Sequence, residues 1–191
     1  MDLVELLRKN RSYRRFDQRR RIDRQTLVEL VELARLCPSS SNRQPLKFIV
    51  ACSPEEAARV FPYLAWAGAI KDWDGPAEGE RPAAYILILG DKQVRGEFHL
   101  DPGIAAQSML LGAVQQGLGG CMIAAIDHRG LRRELNLPER FEICLAVALG
   151  HPAETVVLEE MKHPGEFDYW RDAEGVHHVP KRPLAELLLE F

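Results

Sequence analysis

The segment Pro38-Ser39-Ser40-Ser41-Asn42-Arg43-Gln44-Pro45 decides how this chain is organised, because it separates a helical pattern from a strand pattern. Ahead of it, apolar residues recur at helical spacing behind Asp23, which can cap a helix that Pro38 then stops. Behind it, the apolar run from Phe48 to Cys52 is typical of a buried strand. The segment is therefore predicted to be a polar loop between a helix end and a strand.

Strand and helix patterns alternate through the rest of the chain as far as Gly150. Buried strands are predicted at residues 84–89, 121–126 and 143–150. The longest helix is predicted from Asp101 to about Gln116, and shorter helices are predicted from residue 3 to before residue 11, from Asp23, from Ser53 to about Phe61, and at residues 129–135. Four apolar strands interleaved with helices indicate an α/β or α+β sandwich.

Two segments lack a core pattern of their own. Residues 67–81 are rich in Gly, Pro and charge, so they are predicted to form a surface loop or lid, with Trp66 and Trp73 as candidates to cover a pocket. After Gly150 the pattern dissolves until the leucines from Leu184 onward suggest a closing helix or strand. A tail so poor in core residues needs another surface to lie on.

Composition limits the classes of protein to consider. The chain has 191 residues, 46% of them apolar, and a formal net charge of -3, which favours one domain over residues 1–191 and gives no general attraction to nucleic acid or an acidic membrane. No signal peptide or membrane span is evident, and the four cysteines are widely spaced without a C-x-x-C motif. A reduced, cytoplasmic protein is expected.

Cationic side chains near both ends of the chain suit a phosphate group. Arginine presents a planar fork that matches phosphate oxygens, and lysine supplies a compact positive charge. Each of these residues alone is equally compatible with a solvated surface charge. The candidates are Arg11, Arg14, Arg15, Lys181 and Arg182, with Ser12 as a neutral donor.

The polar loop suits the edge of a flat heterocycle that both donates and accepts hydrogen bonds. Asn42 and Gln44 each carry a donor and an acceptor, while Pro38, Ser39 and Ser40 would supply backbone groups and hydroxyls nearby. The alternative is an ordinary Ser/Asn turn bounded by prolines. Taken with the cationic groups, the loop indicates a pocket for a mononucleotide cofactor.

These segments, in this order, resemble the FMN-dependent nitroreductases from about residue 3 to about residue 189. The resemblance implies an α+β (α/β/α sandwich) fold with a central mixed sheet flanked by helices. It also implies a homodimer with two FMN sites at its interface and a C-terminal extension wrapping over the partner. Where many relatives have a second Arg before the Arg-Ser pair, this chain has Asn10, so more of the phosphate anchoring would depend on Lys181 and Arg182.

The resemblance further places one strand along the flavin ring, with the N–H of Ala125 near flavin N5. The residues implied there are Met122, Ile123, Ala124 and Ala125. The implied activity is ping-pong hydride transfer from NADH or NADPH, through N5, to a nitroaromatic, quinone or similar acceptor. The choice of acceptor would depend on the lid, residues 63–81, which is short in this chain.

Parts of the sequence are compatible with two other functions. A flavin-binding sensor or carrier without turnover would use the same residues, and a nucleic-acid-binding regulator would use the arginines of residues 19–24. The glycines of residues 117–120 follow a helix and precede a strand, the reverse of a dinucleotide-binding unit. No metal-ligand pattern and no hydrolase triad is evident. We therefore expect no catalytic side chain, and the chemistry would take place at the flavin.

Overall fold

The computed structural model describes residues 1–70 and 73–190. In this part of the chain the helices are α1 (Leu3–Lys9), α2 (Arg24–Arg35), α3 (Pro54–Val60), α4 (Asp101–Gln115) and α5 (His128–Glu134). The strands are β1 (Leu46–Ala51), β2 (Ala84–Asp91), β3 (Gly119–Ile123), β4 (Phe141–Gly150), β5 (Val156–Glu160), β6 (Trp170–Arg171) and β7 (His177–Lys181). No helix in these two ranges has the length and apolarity needed to cross a membrane.

The central sheet has four strands in the order β1-β2-β4-β3. Every pairing between these strands is antiparallel. A single parallel bridge, between Ser12 and Gly120, brings the N-terminal segment to the β3 edge. A mixed sheet was expected. Its four strands are antiparallel to one another, and the parallel contact that makes it mixed is the bridge at the β3 edge.

Helices cover both faces of this sheet, and strand β2 shows why. Its side chains alternate between the two faces, as the period of a strand requires. Ile86 and Ile88 pack in a core with α2 and α4, whereas Tyr85, Leu87 and Leu89 pack in a second core with α3 and α5. The predicted α/β/α sandwich is confirmed.

Helices α2 and α4 pack closely because a glycine lies at their contact. A Cβ on Gly112 would lie 2.2 Å from Cδ1 of Leu33, so only a hydrogen fits without a shift of that leucine. Helix α2 therefore approaches α4 at the position of this glycine. The Asp23 cap is also present, since its side chain accepts the Thr26 N–H at 2.7 Å.

The segment after Gly150 forms a second sheet that the sequence analysis did not predict. Strand β5 pairs in parallel with β7, and β6 pairs with β7 in antiparallel fashion. Histidines and Pro180 interrupt the apolar pattern of β7, which conceals it in the sequence. The tail that follows contains one 3₁₀ turn at Leu184–Glu186 and leaves its leucines exposed.

One histidine ties this second sheet together. His178 Nε2 lies 3.0 Å from Asp172 and its Nδ1 lies 2.5 Å from Glu159 of β5. The ring stacks on Trp170 of β6 at 4.9 Å. The hydrogen bonds to Asp172 and then to Glu159 raise the pKa of His178 above its usual value.

Candidate functional site

A cleft of about 290 Å³ lies between the end of α1, the β3 edge, α4 and β7. We call it the anchor cleft, and it contains residues from both ends of the chain. Arg11, Ser12 and Arg14 line it from the N-terminal side, and Lys181 lines it from the last position of β7. Its other lining residues are Asn10, Gln107, Leu110, Gly120, Met122, Tyr169 and Val179.

The charges in the anchor cleft have one sign. Three cationic side chains line it, and none of the lining residues that the structure describes is acidic. The Arg11 guanidinium donates to the carbonyl of Leu7 at 2.6 Å, yet its buried Nε has no partner among the described residues. Burial lowers the pKa of Arg11 from its usual value, because the charged form loses solvation. Such a set of unpaired cations favours an anionic ligand.

Arg14 is held over the cleft by contacts to its own segment and to Tyr169, which directly precedes β6. Its Nη1 donates to the carbonyl of Ser12 at 3.2 Å, and its guanidinium lies 4.6 Å from the centre of the Tyr169 ring. The contact with Tyr169 was missed in the sequence, because Tyr169 lies in the tail that lacks a pattern. Sequence spacing gave no signal that could have identified it.

A second cleft, of about 230 Å³, continues from the anchor cleft along the end of β3. We call it the strand-edge cleft. It shares Arg14 and Met122 with the anchor cleft, and small or apolar residues form most of its wall. These are Ala65, Trp66, Ala67, Gly68, Cys121, Ile123, Ala124 and Ala125. The two clefts adjoin at Arg14 and Met122, and we call the pair the trough, in which the anchor cleft forms the cationic end and the strand-edge cleft the largely apolar end.

The chain leaves the sheet at the strand-edge cleft, which frees a backbone donor there. Strand β3 ends at Ile123, three residues before its predicted end, and Ile126 forms a bridge with Leu64 instead. The carbonyl of Ala125 accepts the Ala65 N–H at 2.9 Å, whereas the N–H of Ala125 donates to no described residue. The N–H of Ala125 is therefore available on the wall of the strand-edge cleft.

The Ser-rich loop lines a different cleft of about 400 Å³, which we call the loop cleft. Pro38, Ser39 and Gln44 border it beside α2 and β1, and it shares no lining residue with the anchor cleft or the strand-edge cleft. Within one chain, the loop and the cationic anchors therefore do not converge on one cleft. Ser40 and Asn42 lie in the same loop but outside the lining of all three clefts.

The loop has an unusual backbone conformation that its hydrogen bonds support. Ser41, Asn42 and Gln44 have φ values of 51°, 52° and 51°, in the left-handed region that favours glycine. The Gln44 N–H donates to Oγ of Ser39, and the Ser40 N–H donates to the buried Asp101, each at 3.0 Å. Such strain in residues other than glycine concentrates at functional sites.

Two of the predicted phosphate ligands point their side chains elsewhere. Arg15 Nε is 2.9 Å from Oε2 of Glu80, and Arg182 Nη1 is 3.1 Å from Oε2 of Glu186. Neither residue lines the anchor cleft in one chain. Because both arginines look the same in the sequence as those that do line it, only the fold separates them.

Glu154 has a buried carboxylate that the sequence did not reveal. One of its oxygens accepts the backbone N–H groups of Arg14 and Arg15, and the other accepts Nη2 of Arg171 at 2.8 Å. Burial alone would raise the pKa of this carboxyl, but the long polar contact with His177, the backbone N–H of Arg14 and the Arg171 guanidinium together lower it to about 2. A single Glu after a Pro-Ala pair carries no pattern that reveals this role.

The predicted lid, residues 63–81, includes residues 71 and 72, which lie outside the described residues. Trp66 is 8% exposed and lines the strand-edge cleft, as predicted for a residue that covers a pocket. Gly75, at φ 123°, packs on it so closely that a Cβ would lie 2.8 Å from Trp66 Cδ1. Trp73 does not line this cleft and instead lies 4.4 Å beneath the Arg171 guanidinium.

Comparisons with known proteins agree with this architecture. The sequence profile of the nitroreductase family matches residues 7–151. A Methanothermobacter thermautotrophicus protein that carries the provisional name NADH dehydrogenase/NAD(P)H nitroreductase is 26% identical over 170 residues, covering 86% of this chain and 84% of that protein.

Solved structures show the same fold. A nitroreductase family protein from Clostridium difficile superposes with a TM-score of 0.70 at 22% identity, covering 99% of this chain and 98% of that one. A provisionally described nitroreductase from Exiguobacterium sibiricum, solved in complex with FMN, gives a TM-score of 0.67 at 19% identity over 81% of this chain and 90% of that one. The fold expected from the resemblance is confirmed.

Proposed function

We propose an FMN-dependent oxidoreductase function for this chain, which belongs to the nitroreductase family. In this proposal NADH or NADPH reduces the bound flavin, and a nitroaromatic, quinone or similar small molecule then reoxidises it at the same site. The name of the Methanothermobacter relative and the FMN in the Exiguobacterium structure support the proposal. The observation that carries it is the trough, with three cations at one end and a small-residue wall at the other.

The trough residues fit FMN by their chemistry. Arg11, Arg14 and Lys181 would hold the phosphate, since they are cations without an acidic neighbour in the anchor cleft. The small residues of the strand-edge cleft would pack along the flat ring, and the unused N–H of Ala125 would donate to it. Bound FMN would supply the centre that accepts and releases hydride. The protein's own part is to orient the ring and to exclude water with Trp66.

We further propose that a second copy of the chain completes the site. The Ser-rich loop lies in a separate cleft of its own chain, so a partner's loop would have to reach the strand-edge cleft to contact the ring. Two exposed apolar surfaces support a homodimer. Helix α1 has no buried residue although it carries exposed leucines, and the tail leucines beyond Leu184 are also exposed. A homodimer in which each tail wraps over the partner would cover both.

The visible spectrum of the purified protein tests the cofactor directly. We expect flavin absorption, and FMN released on denaturation at about one per chain. Anaerobic mixing with NADH and with NADPH then tests turnover, because an enzyme bleaches rapidly whereas a flavin sensor or carrier does not. A colourless protein that neither binds added FMN nor oxidises NAD(P)H would refute the proposal. Light scattering gives the oligomeric state, and a monomer carrying FMN would refute the shared site alone.

A further inference from the structure

We propose that Glu154 is a positioning residue that fixes the Arg14 backbone at the trough and links it, through Arg171, to Trp73 of the lid. The inference rests on the FMN site proposed above for its functional consequence, but its structural part concerns this chain alone. Glu154 touches neither cleft of the trough, so it would act through the residues that it holds.

The first half of the link is a pair of backbone hydrogen bonds. Oε1 of Glu154 accepts the N–H of Arg14 and the N–H of Arg15, the latter at 3.1 Å. Neither amide has another acceptor among the described residues. The Glu154 side chain is 1% exposed, so water does not replace it. Since Arg14 lines both clefts of the trough, a shift of this backbone would displace a cation from the ligand.

The second half joins the same carboxylate to the lid. Oε2 of Glu154 accepts Nη2 of Arg171 at 2.8 Å, and the side chain of Arg171 is 12% exposed. The Arg171 guanidinium lies 4.4 Å from the centre of the Trp73 ring, within cation–π range. One buried carboxylate thus contacts both the anchor backbone and the residue that covers a lid tryptophan.

The protonation state of Glu154 supports a positional role over an acid–base role. Its pKa, near 2, keeps it ionised at neutral pH, and its burial leaves no route to a substrate proton. Three more ionisable groups lie near it: Tyr13, Cys121 and His177. The Nδ1 of His177 is 3.8 Å from Oε2, which is beyond hydrogen-bonding distance. The negative charge is therefore permanent under working conditions and is balanced by Arg171.

Three variants separate the two halves of the link. Glu154→Gln keeps the shape but removes the charge from both halves. Arg171→Met removes the ion pair with Oε2 and the contact with Trp73, but it leaves the carboxylate oxygen that accepts the Arg14 and Arg15 amides. Glu80→Gln is the matched control, because Glu80 pairs with the Arg15 side chain at the surface and not with its amide. Both readouts use NMR on the cofactor-free protein. Hydrogen exchange reports how well the Arg14 and Arg15 amides are protected, and solvent paramagnetic relaxation reports how exposed the Trp73 indole proton is.

We expect E154Q to speed exchange of the Arg14 and Arg15 amides by about 10-fold or more, because hydrogen bonds to a charged acceptor are the stronger kind. The Phe16 amide, which donates to the carbonyl of Glu80, is the internal reference and should not change. R171M should expose Trp73 and leave both amides protected, and E80Q should change neither. If E154Q leaves the amides as protected as in wild type, or R171M leaves Trp73 unchanged, the link is refuted. If E154Q does not fold, R171M decides alone.

Binding and kinetics supply the functional test. E154Q should raise the Kd for FMN about 10-fold, while R171M should leave it within about 3-fold and raise KM for the acceptor with little change in kcat. Equal FMN affinity in wild type and E154Q would refute the positioning role. A wild-type protein that binds no FMN but shows the expected exchange pattern would instead refute the proposed function, so the two failures are distinguishable.

Discussion

Neighbouring residues Lys181 and Arg182 give the sharpest test of where the phosphate binds. Lys181 lines the anchor cleft, and the described residues give it no ion-pair partner, whereas Arg182 pairs with Glu186 at 3.1 Å. The change Lys181→Met keeps the side-chain length and removes the charge. The backbone stays in place, because the carbonyl of Lys181 accepts the Met161 N–H at 2.8 Å whatever the side chain is. Only the interaction with the ligand should be lost.

The size of the effect follows from the geometry. A hydrogen bond to a charged group contributes about 1.5–3 kcal/mol, which corresponds to about 10- to 150-fold in Kd. Lys181 is exposed, so solvent screening places the expected loss near the lower figure, about 10-fold in dilute buffer. Raising the salt concentration should narrow the difference between wild type and variant, because screening weakens an exposed charge most.

The assay is a titration of cofactor-free protein with FMN, followed by the quenching of FMN fluorescence. Arg182→Met is the matched control and should change Kd by less than about 2-fold, since its guanidinium pairs with a carboxylate outside the cleft. Both variants should retain the melting temperature of the wild type. If R182M weakens binding as much as K181M does, or if K181M binds like wild type, the anchor cleft does not hold the phosphate.

Three further predictions concern stability. Gly120→Ala should destabilise the fold by about 2–3 kcal/mol, since its Cβ would lie 2.2 Å from the backbone oxygen of Ala148, whereas Gly103→Ala, which meets open space, should not lower the melting temperature. The pKa of His178 is higher in the folded protein than in the unfolded chain, where it is about 6.5. Protonated His178 therefore contributes its full stabilisation of the fold below pH 6.5, and this contribution is lost as the pH rises through the folded-state pKa. The melting-temperature difference between wild type and His178→Gln should therefore shrink between pH 6 and pH 9, and a constant difference would contradict this. The Glu154 pKa is about 2, against an ordinary 4.5, so the ionised carboxylate should contribute about 3 kcal/mol to the free energy of unfolding above pH 4.5. This contribution should be lost as the pH falls toward 2. Other carboxylates with lowered pKa values, Asp91 and Glu134 among them, lose stability in both proteins. Between pH 5 and pH 3, urea unfolding should therefore show a loss that is about 2 kcal/mol larger in wild type than in E154Q.

The sequence predicted the three-layer fold because its core elements have clear periods. The continuous apolar run of β2 predicts a buried strand, and the helical spacing of α2 identifies a buried face, each without knowledge of the neighbours. The caps at Asp23 and Ser53 fixed two helix starts, and both are present in the structure. Helix caps and apolar spacing depend only on residues close together in the sequence, so the sequence alone predicts them.

The second sheet was not predictable in the same way. Strands β5 and β7 have five residues each, and neither shows an apolar period. Strand β5 runs from three apolar residues into two glutamates, and β7 combines two histidines with a valine, a proline and a lysine. Their order depends on contacts such as those of His178, which join three segments that no local pattern relates. Tertiary contacts outweigh local propensity here.

The candidate site was predicted in part, and its limits have a physical reason. Residue type identified cations suited to a phosphate, and Arg11, Arg14 and Lys181 do meet in one cleft. Residue type could not tell them from Arg15 and Arg182, whose guanidinium groups pair with carboxylates brought close by the fold. It also could not place the Ser-rich loop, because the position of a loop relative to a cleft is a property of the assembled structure.

The left-handed residues of the Ser-rich loop bear on how fast a ligand can be captured. A strained turn of this kind adopts its conformation when the chain folds, and its hydrogen bonds to Ser39 and Asp101 keep that conformation when no ligand is bound. A surface that is already shaped loses little conformational freedom on contact with a ligand. The rate of ligand binding to this loop should therefore be limited by diffusion and by the orientation of the colliding molecules, and not by a slow rearrangement of the loop. The rate constant for ligand association should consequently decrease as solvent viscosity rises.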